Sequence, residues 1–152
     1  MTTSASTTTE PVANARTLAL AHYAARGVLE HVLARHGSTF QQQIVLRAAV
    51  TTEAPQTPDD LVAQAQGALK ADPADIRATL DELLAKQLLD ADGSHLRPTD
   101  AGRELIAAVG AETAPISARI WGEIPAEDLS AAGRVLALVT ERANTELAAL
   151  TT

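Results

Sequence analysis

The chain has 152 residues, 46% hydrophobic and only 2% aromatic, with a formal net charge of −7 and no cysteine. That length suits one domain or one protomer of an oligomer, with an apolar fraction sufficient for a core. The missing cysteine excludes disulfides, thiolate redox sensing and cysteine-ligated zinc or iron–sulfur sites, and the acidic balance excludes a simple polycation that coats nucleic acid.

One Trp, one Tyr and one Phe leave a core built from Leu, Ile, Val and Ala. Alanine favours helix intrinsically, and the alternating β-branched runs that mark strands are almost absent. No apolar run approaches the ~18 residues of a membrane-spanning helix. The opening MTTSASTTTEP has neither a basic nor an apolar signal region, so the expectation is a soluble cytoplasmic protein.

Residues 1–10 are rich in Thr and Ser without periodicity, and read as a disordered tail. A long helix follows over residues 11–37, with Pro11 near its start and Gly37 past its end, the usual asymmetry. Leu18, Ala21, Ala25, Val28 or Leu29, and Val32 form its stripe, while Leu20 and Leu33 add apolar surface off that line. A helix apolar on more than one side predicts a second contact, from a dimer partner.

Ser38 or Thr39 caps a second helix to about Thr51, with Phe40, Ile44, Val45, Ala48 and Ala49 facing the core. Residues 52–57 are a loop. Thr57 caps a third helix, with Pro58 in its first turn and Asp59 and Asp60 at the positive end of the dipole. Leu61, Ala65 and Leu69 share a face, with Val62 beside it. Asp72 caps a fourth helix starting at Pro73, on which Ile76, Leu80, Leu83 and Leu84 fall at helical spacing. Leu88 and Leu89, the turn signal Asp92-Gly93-Ser94 and the run His95-Leu96-Arg97 predict a tight hairpin.

Thr99 caps the next helix through Leu105, Ile106 and Val109. Pro115 predicts either a kink near Thr113 or two separate helices. A last helix starts around Pro125 and carries Leu129, Val135 or Leu136, Val139, Ala143 and Leu147 to Leu150. The expected fold is all-α with a small β-hairpin wing. It divides into a winged helix-turn-helix over residues 38–110 and C-terminal dimerisation helices over residues 111–152.

In a helix-turn-helix the second helix meets base edges in the major groove. With Ile76, Leu80 and Leu83 inward, the spacing turns Asp75, Arg77, Ala78, Thr79, Asp81 and Glu82 outward. Arg77 is then the natural base or phosphate contact, Thr79 a further polar contact, and Lys70 a reach to phosphate. Between Asp72 and Asp92 six acids (Asp72, Asp75, Asp81, Glu82, Asp90, Asp92) face two bases (Arg77, Lys86), a net of −4 on the very element that approaches phosphates.

The order and spacing of these elements resemble the MarR-type (multiple antibiotic resistance regulator) family, from about Val12 to Leu150. Leu61, Asp72, Ile76, Leu83 and Leu88 match its spacing, and Thr99-Asp100-Ala101-Gly102 matches its threonine-x-x-glycine after the wing. IPAEDLSAAGRVLALVTERANTEL resembles its C-terminal dimerisation helix. The wing DADGSHLRP is short and lacks the family's Asp-x-Arg signature, for which Arg97 and His95 are the replacements. Gln87 stands where a glycine is common, and Pro98 replaces the usual leucine.

The resemblance implies a dimeric repressor of a pseudo-palindromic operator, with recognition helices one DNA turn (~34 Å) apart. It also implies an effector pocket where the first helix meets the winged domain. His22, Tyr23, Arg26, Phe40, Arg47 and Trp121 are the residues able to hold an anionic or aromatic ligand there; His22 and Arg26 share a helix face. The same scaffold also serves an alternative, a protein-interaction or DNA-mimic module that does not bind DNA.

His31 and His36 are five apart and do not share a helix face, so no metal site is expected. A glycine-rich phosphate loop, a nucleophile elbow and a carboxylate pair are all missing from the sequence, so neither catalysis nor a cofactor is expected.

Overall fold

The computed structural model describes residues 9–152. Of the expected N-terminal tail, residues 1–8 lie outside the described part. The elements run α1 (Ala15–Arg35), α2 (Phe40–Thr51), α3 (Pro58–Leu69), α4 (Pro73–Ala85), β1 (Leu89–Asp92), β2 (His95–Pro98), α5 (Asp100–Trp121) and α6 (Ala126–Leu150). The chain divides into two compact units, one up to Thr113 and one from Ala114.

Side-chain caps set the helix starts in the first unit. Thr39 and Gln42 bond each other's backbone N–H reciprocally at the head of α2, and Thr57 and Asp60 do the same at α3. Each box satisfies two N–H groups that the first helical turn leaves unpaired. A third box moves the start of α1 from the expected Pro11 to Ala15: Asn14 Oδ1 accepts from Thr17 N at 3.0 Å, and Thr17 Oγ1 accepts from Asn14 N at 2.9 Å. Asp72 accepts from Ala74 N at 2.8 Å and opens α4.

The core of this unit is wholly aliphatic. Val45, Leu46 and Ala49 from α2, Leu61, Val62 and Ala65 from α3, and Ile76, Leu80 and Leu83 from α4 converge with Leu89 and Leu96 of the wing. On α2 the buried stripe is Val45, Leu46 and Ala49, turned from the expected one, with Phe40 and Ile44 only half-buried. Along α1 only Val32 and Leu33 are buried; Leu18, Leu20 and Tyr23 are exposed.

The wing is an antiparallel pair with Asp90 opposite Arg97 and Asp92 opposite His95. Gly93 holds φ +61° in the first position of the two-residue turn, where the primed hairpin turns favour glycine. Gln56, in the α2–α3 loop, pins the wing from its other side: Leu96 N donates to Gln56 O at 2.7 Å, and Gln56 N donates to Leu96 O at 3.2 Å. The chain enters β1 through Gln87, whose φ of +57° is the left-handed conformation that explains a glycine preference at this position.

The threonine-x-x-glycine after the wing has a steric origin. Thr99 Oγ1 donates to Gln87 O at 2.7 Å and accepts from Gly102 N at 3.0 Å. A Cβ on Gly102 would collide with the Leu88 carbonyl oxygen. Helix α5 then runs unbroken to Trp121 with Pro115 inside it, so the expectation of two separate helices is corrected. The ring removes one backbone donor, and the intact turns on either side carry the helix across the loss. Thr113 Oγ1 bonds back to Val109 O at 2.8 Å just before it.

The second unit holds the end of α5 and the whole of α6. Helix α6 buries none of its residues; Val135, Leu136, Leu138, Val139 and Leu147 are all exposed. No helix of the described residues is long and apolar enough to cross a membrane.

Candidate functional site

The turn between α3 and α4 is three residues long. Lys70 ends α3 in the left-handed conformation, φ 54°, with its N–H on Gln66 O, and Asp72 opens α4. Lys70 Nζ folds back onto the Gly67 carbonyl at 2.7 Å, in place of the outward reach expected of it.

Arg77 projects from the first turns of α4 as expected and is half exposed. Its Nη2 lies 2.8 Å from Asp59 Oδ1 at the head of α3. An exposed pair of this kind is worth well under about 1 kcal/mol, so a phosphate can displace the carboxylate.

Thr79 corrects the sequence reading: it is buried, 5% exposed, and not on the outward face. Its hydroxyl donates to Asp75 O at 3.0 Å and accepts from Gln41 Nε2 at 2.8 Å. A small residue that bonds its own helix and a neighbour's amide can sit among apolar side chains without an unpaired hydroxyl. Glu82 also turns from the outward face toward α2, where it meets Gln42.

In the wing, Arg97 is flanked by the acids of the opposite strand, with Nη2 4.0 Å from Asp90 Oδ2 and Nη1 3.6 Å from Asp92 Oδ2. The Asp90 contact is the cross-strand pairing of the hairpin register. His95 is exposed, with Nδ1 3.3 Å from Ser94 Oγ. Thus Arg77 and Arg97 remain at the surface, each with its charge answered by carboxylates of this chain. Between Arg77 and the wing lies a shallow hollow of about 250 Å³ lined by Pro58, Leu80, Asp81, Leu84 and Leu96.

Of the effector candidates, the structure brings Arg26 and Phe40 together. The guanidinium carbon lies 4.3 Å from the Phe40 ring centroid, a cation–π contact worth about 0.5–1 kcal/mol at a surface, and Nε bonds Glu30 Oε1 at 2.9 Å. His22 and Tyr23 stand one turn away on α1, with ring centroids 5.9 Å apart. Arg47 is exposed on α2, and Trp121 is exposed in the second unit.

A further polar cluster escaped the sequence reading. Glu112 of α5 bonds Arg35, and its Oε2 lies 2.8 Å from His36 Nε2. The His36 hydrogen bond, opposed by burial and reinforced by the charges of Arg35, His36 and His31, holds the Glu112 carboxyl below the usual glutamate range. Its partners are 76 and 77 residues away, a separation across which no sequence signal operates.

No protein-family model matches this chain, and no curated protein sequence matches it. Solved structures do. MarR of Staphylococcus aureus, solved in complex with salicylate and kanamycin, superposes with TM-score 0.72 at 16% identity over 86% of this chain and 90% of that one. CouR of Rhodococcus jostii RHA1, bound to p-coumaroyl-CoA, gives 0.67 at 18% over 82% and 88%. A MarR family protein of Mycobacterium tuberculosis, in complex with DNA, gives 0.63 at 19% over 84% and 98%. The chain has the winged-helix fold of the MarR-type regulators, as the resemblance in its sequence implied.

Proposed function

We propose that this protein is a ligand-responsive transcriptional regulator, a cytoplasmic homodimeric repressor that binds double-stranded DNA at a pseudo-palindromic operator. The observation that carries the reading is a helix-turn-helix and wing that keeps Arg77 and Arg97 at the surface while Leu61, Ile76, Leu80, Leu83, Leu89 and Leu96 are committed to the core. The DNA complex of the Mycobacterium tuberculosis relative in fold supports it. Arg77 exchanges Asp59 for a phosphate or base edge, and Arg97 leaves Asp90 and Asp92 for the backbone beside the wing. Lys70, released from the Gly67 carbonyl, and His95 would add phosphate contacts. Phosphate contacts position such a protein, and base contacts specify its site.

Dimerisation places two α4 helices about one DNA turn (~34 Å) apart. The uncovered apolar residues of α1 and α6 support it. An anionic or aromatic effector would settle against Arg26, Phe40, His22 and Tyr23, with Arg47 as a further contact. By binding one arrangement of the dimer better than the other, it shifts operator affinity. The salicylate and p-coumaroyl-CoA bound by relatives in fold support that ligand class. The protein acts by binding alone, without catalysis.

One observation favours a second reading. Arg77 and Arg97 both already face carboxylates of this chain, which suits a module that meets a basic protein or mimics DNA. Selection from random duplexes over a salt series separates the two. A regulator enriches a sequence and loses affinity steeply with salt, and Arg77→Ala weakens it by about 1–3 kcal/mol and relaxes its specificity. Absence of any enrichment at low salt would favour the interaction module.

A further inference from the structure

Behind α4 lies a polar bridge that the helix-turn-helix pattern does not require. Gln42, in the first turn of α2, is buried. Its Nε2 donates to Glu82 Oε2 at 2.6 Å, and its Oε1 accepts from Lys86 Nζ at 2.8 Å. The same Lys86 Nζ donates to the Gly37 carbonyl, between α1 and α2, at 2.7 Å. One residue earlier, Gln41 Nε2 donates to Thr79 Oγ1 at 2.8 Å. Thr79, Glu82 and Lys86 are spaced three and four apart and so line one face of α4. That whole face is therefore tied to the head of α2.

The aliphatic contact between α2 and α4 fixes their separation but has no directional preference, since burial depends on area. Hydrogen bonds are directional. A sliding or rolling motion of α4 would keep most of the apolar contact and break these bonds, leaving the buried Gln42 Nε2 unpaired and Oε1 with only the Thr39 N–H of the helix cap. The bridge also turns one acid and one base of α4 toward α2, away from the outward face that carries Arg77.

We infer that Gln41, Gln42 and Lys86 are positioning residues that set the angle and height at which α4 is presented to DNA, without touching it. The inference rests on the DNA-binding reading above. It makes discrimination between sequences, rather than overall affinity, the property these residues control.

The test compares Kd for a duplex enriched by the wild type with Kd for a scrambled duplex of equal length, over a salt series, with thermal unfolding alongside. Lys86→Met and Gln41→Ala each lower the ratio of the two affinities, by about tenfold for Lys86→Met, whose bonds are charge-assisted. The slope of affinity against salt stays unchanged, and Lys86→Arg restores the ratio. Equal weakening on both duplexes, with a salt slope reduced by about one, would make Lys86 a phosphate contact and overturn the inference. An unchanged ratio in folded variants overturns it too. A wild type that enriches no sequence at all fails earlier, at the DNA-binding reading, and the inference falls with it.

Discussion

Two regions of this chain, α2 to α4 and α6, use apolar residues in opposite ways. From α2 to α4, Leu and Val at helical spacing are driven to near-zero exposure by their neighbours, while α1 leaves Leu18 and Leu20 exposed. In α6 residues at the same spacing, such as Val135, Leu138 and Val139, stay more than 40% exposed. The periodicity is equal in kind; the covering surface differs. An amphipathic stripe states that something will be buried, and leaves open whether the cover comes from the same chain.

The strongest way to break that contrast is a matched pair of truncations. Leu46→Ala, at 0% exposure, should cost about 2–5 kcal/mol through lost transfer energy and a residual cavity. Leu138→Ala should change unfolding by less than about 0.5 kcal/mol at low protein concentration. It should also flatten the concentration dependence of Tm that an associating protein shows. Denaturant melts at two concentrations check both; equal costs at the two positions would sink the contrast.

A smaller effect sharpens the picture within the first unit. Gln87 holds a left-handed backbone conformation between α4 and the wing, and its backbone groups are the ones used there, the N–H on Leu84 O and the oxygen bonded by Thr99. Gln87→Gly should stabilise by about 1 kcal/mol, because a side chain in that region carries a steric cost that glycine avoids. A lowered Tm would show that the Gln87 side chain contributes more than its strain.

The smallest effect is a pH dependence. Glu112 has its folded pKa depressed by His36 and Arg35. Its stabilisation is therefore present above the ordinary glutamate range and lost as pH falls through the lower folded value. The Tm gap between the wild type and Glu112→Gln should be widest near neutrality and close in acid. A gap constant from neutral to acid pH would remove the role assigned to the cluster.

Local chemistry made much of the fold legible. Thr39, Thr57 and Asp72 announce caps because a short polar side chain reaches the next turn's N–H. Ile76, Leu80 and Leu83 announce a buried stripe because the helix repeats every 3.6 residues. Thr99 and Gly102 announce the close approach of α5 to Leu88. The candidate site was legible only as far as residue type: the sequence offers Arg77 and Arg97 as candidates, and their pairing with Asp59, Asp90 and Asp92 is not written in it. Thr79, placed outward, is three residues from Ile76 and four from Leu83 and so borders the buried stripe, where a glutamine 38 residues away bonds its hydroxyl.

By itself, then, the sequence determined where α2, α3 and α4 begin, which stripe α3 and α4 bury and which few cations are available, since these depend on neighbours within a turn or two. Tertiary structure decided which polar side chains meet. Gln42 with Glu82 and Lys86, Gln56 with Leu96, and Glu112 with His36 are partners chosen by the folded chain. Hydrogen bonds act over about 3 Å, and only folding brings groups forty or more residues apart within that reach.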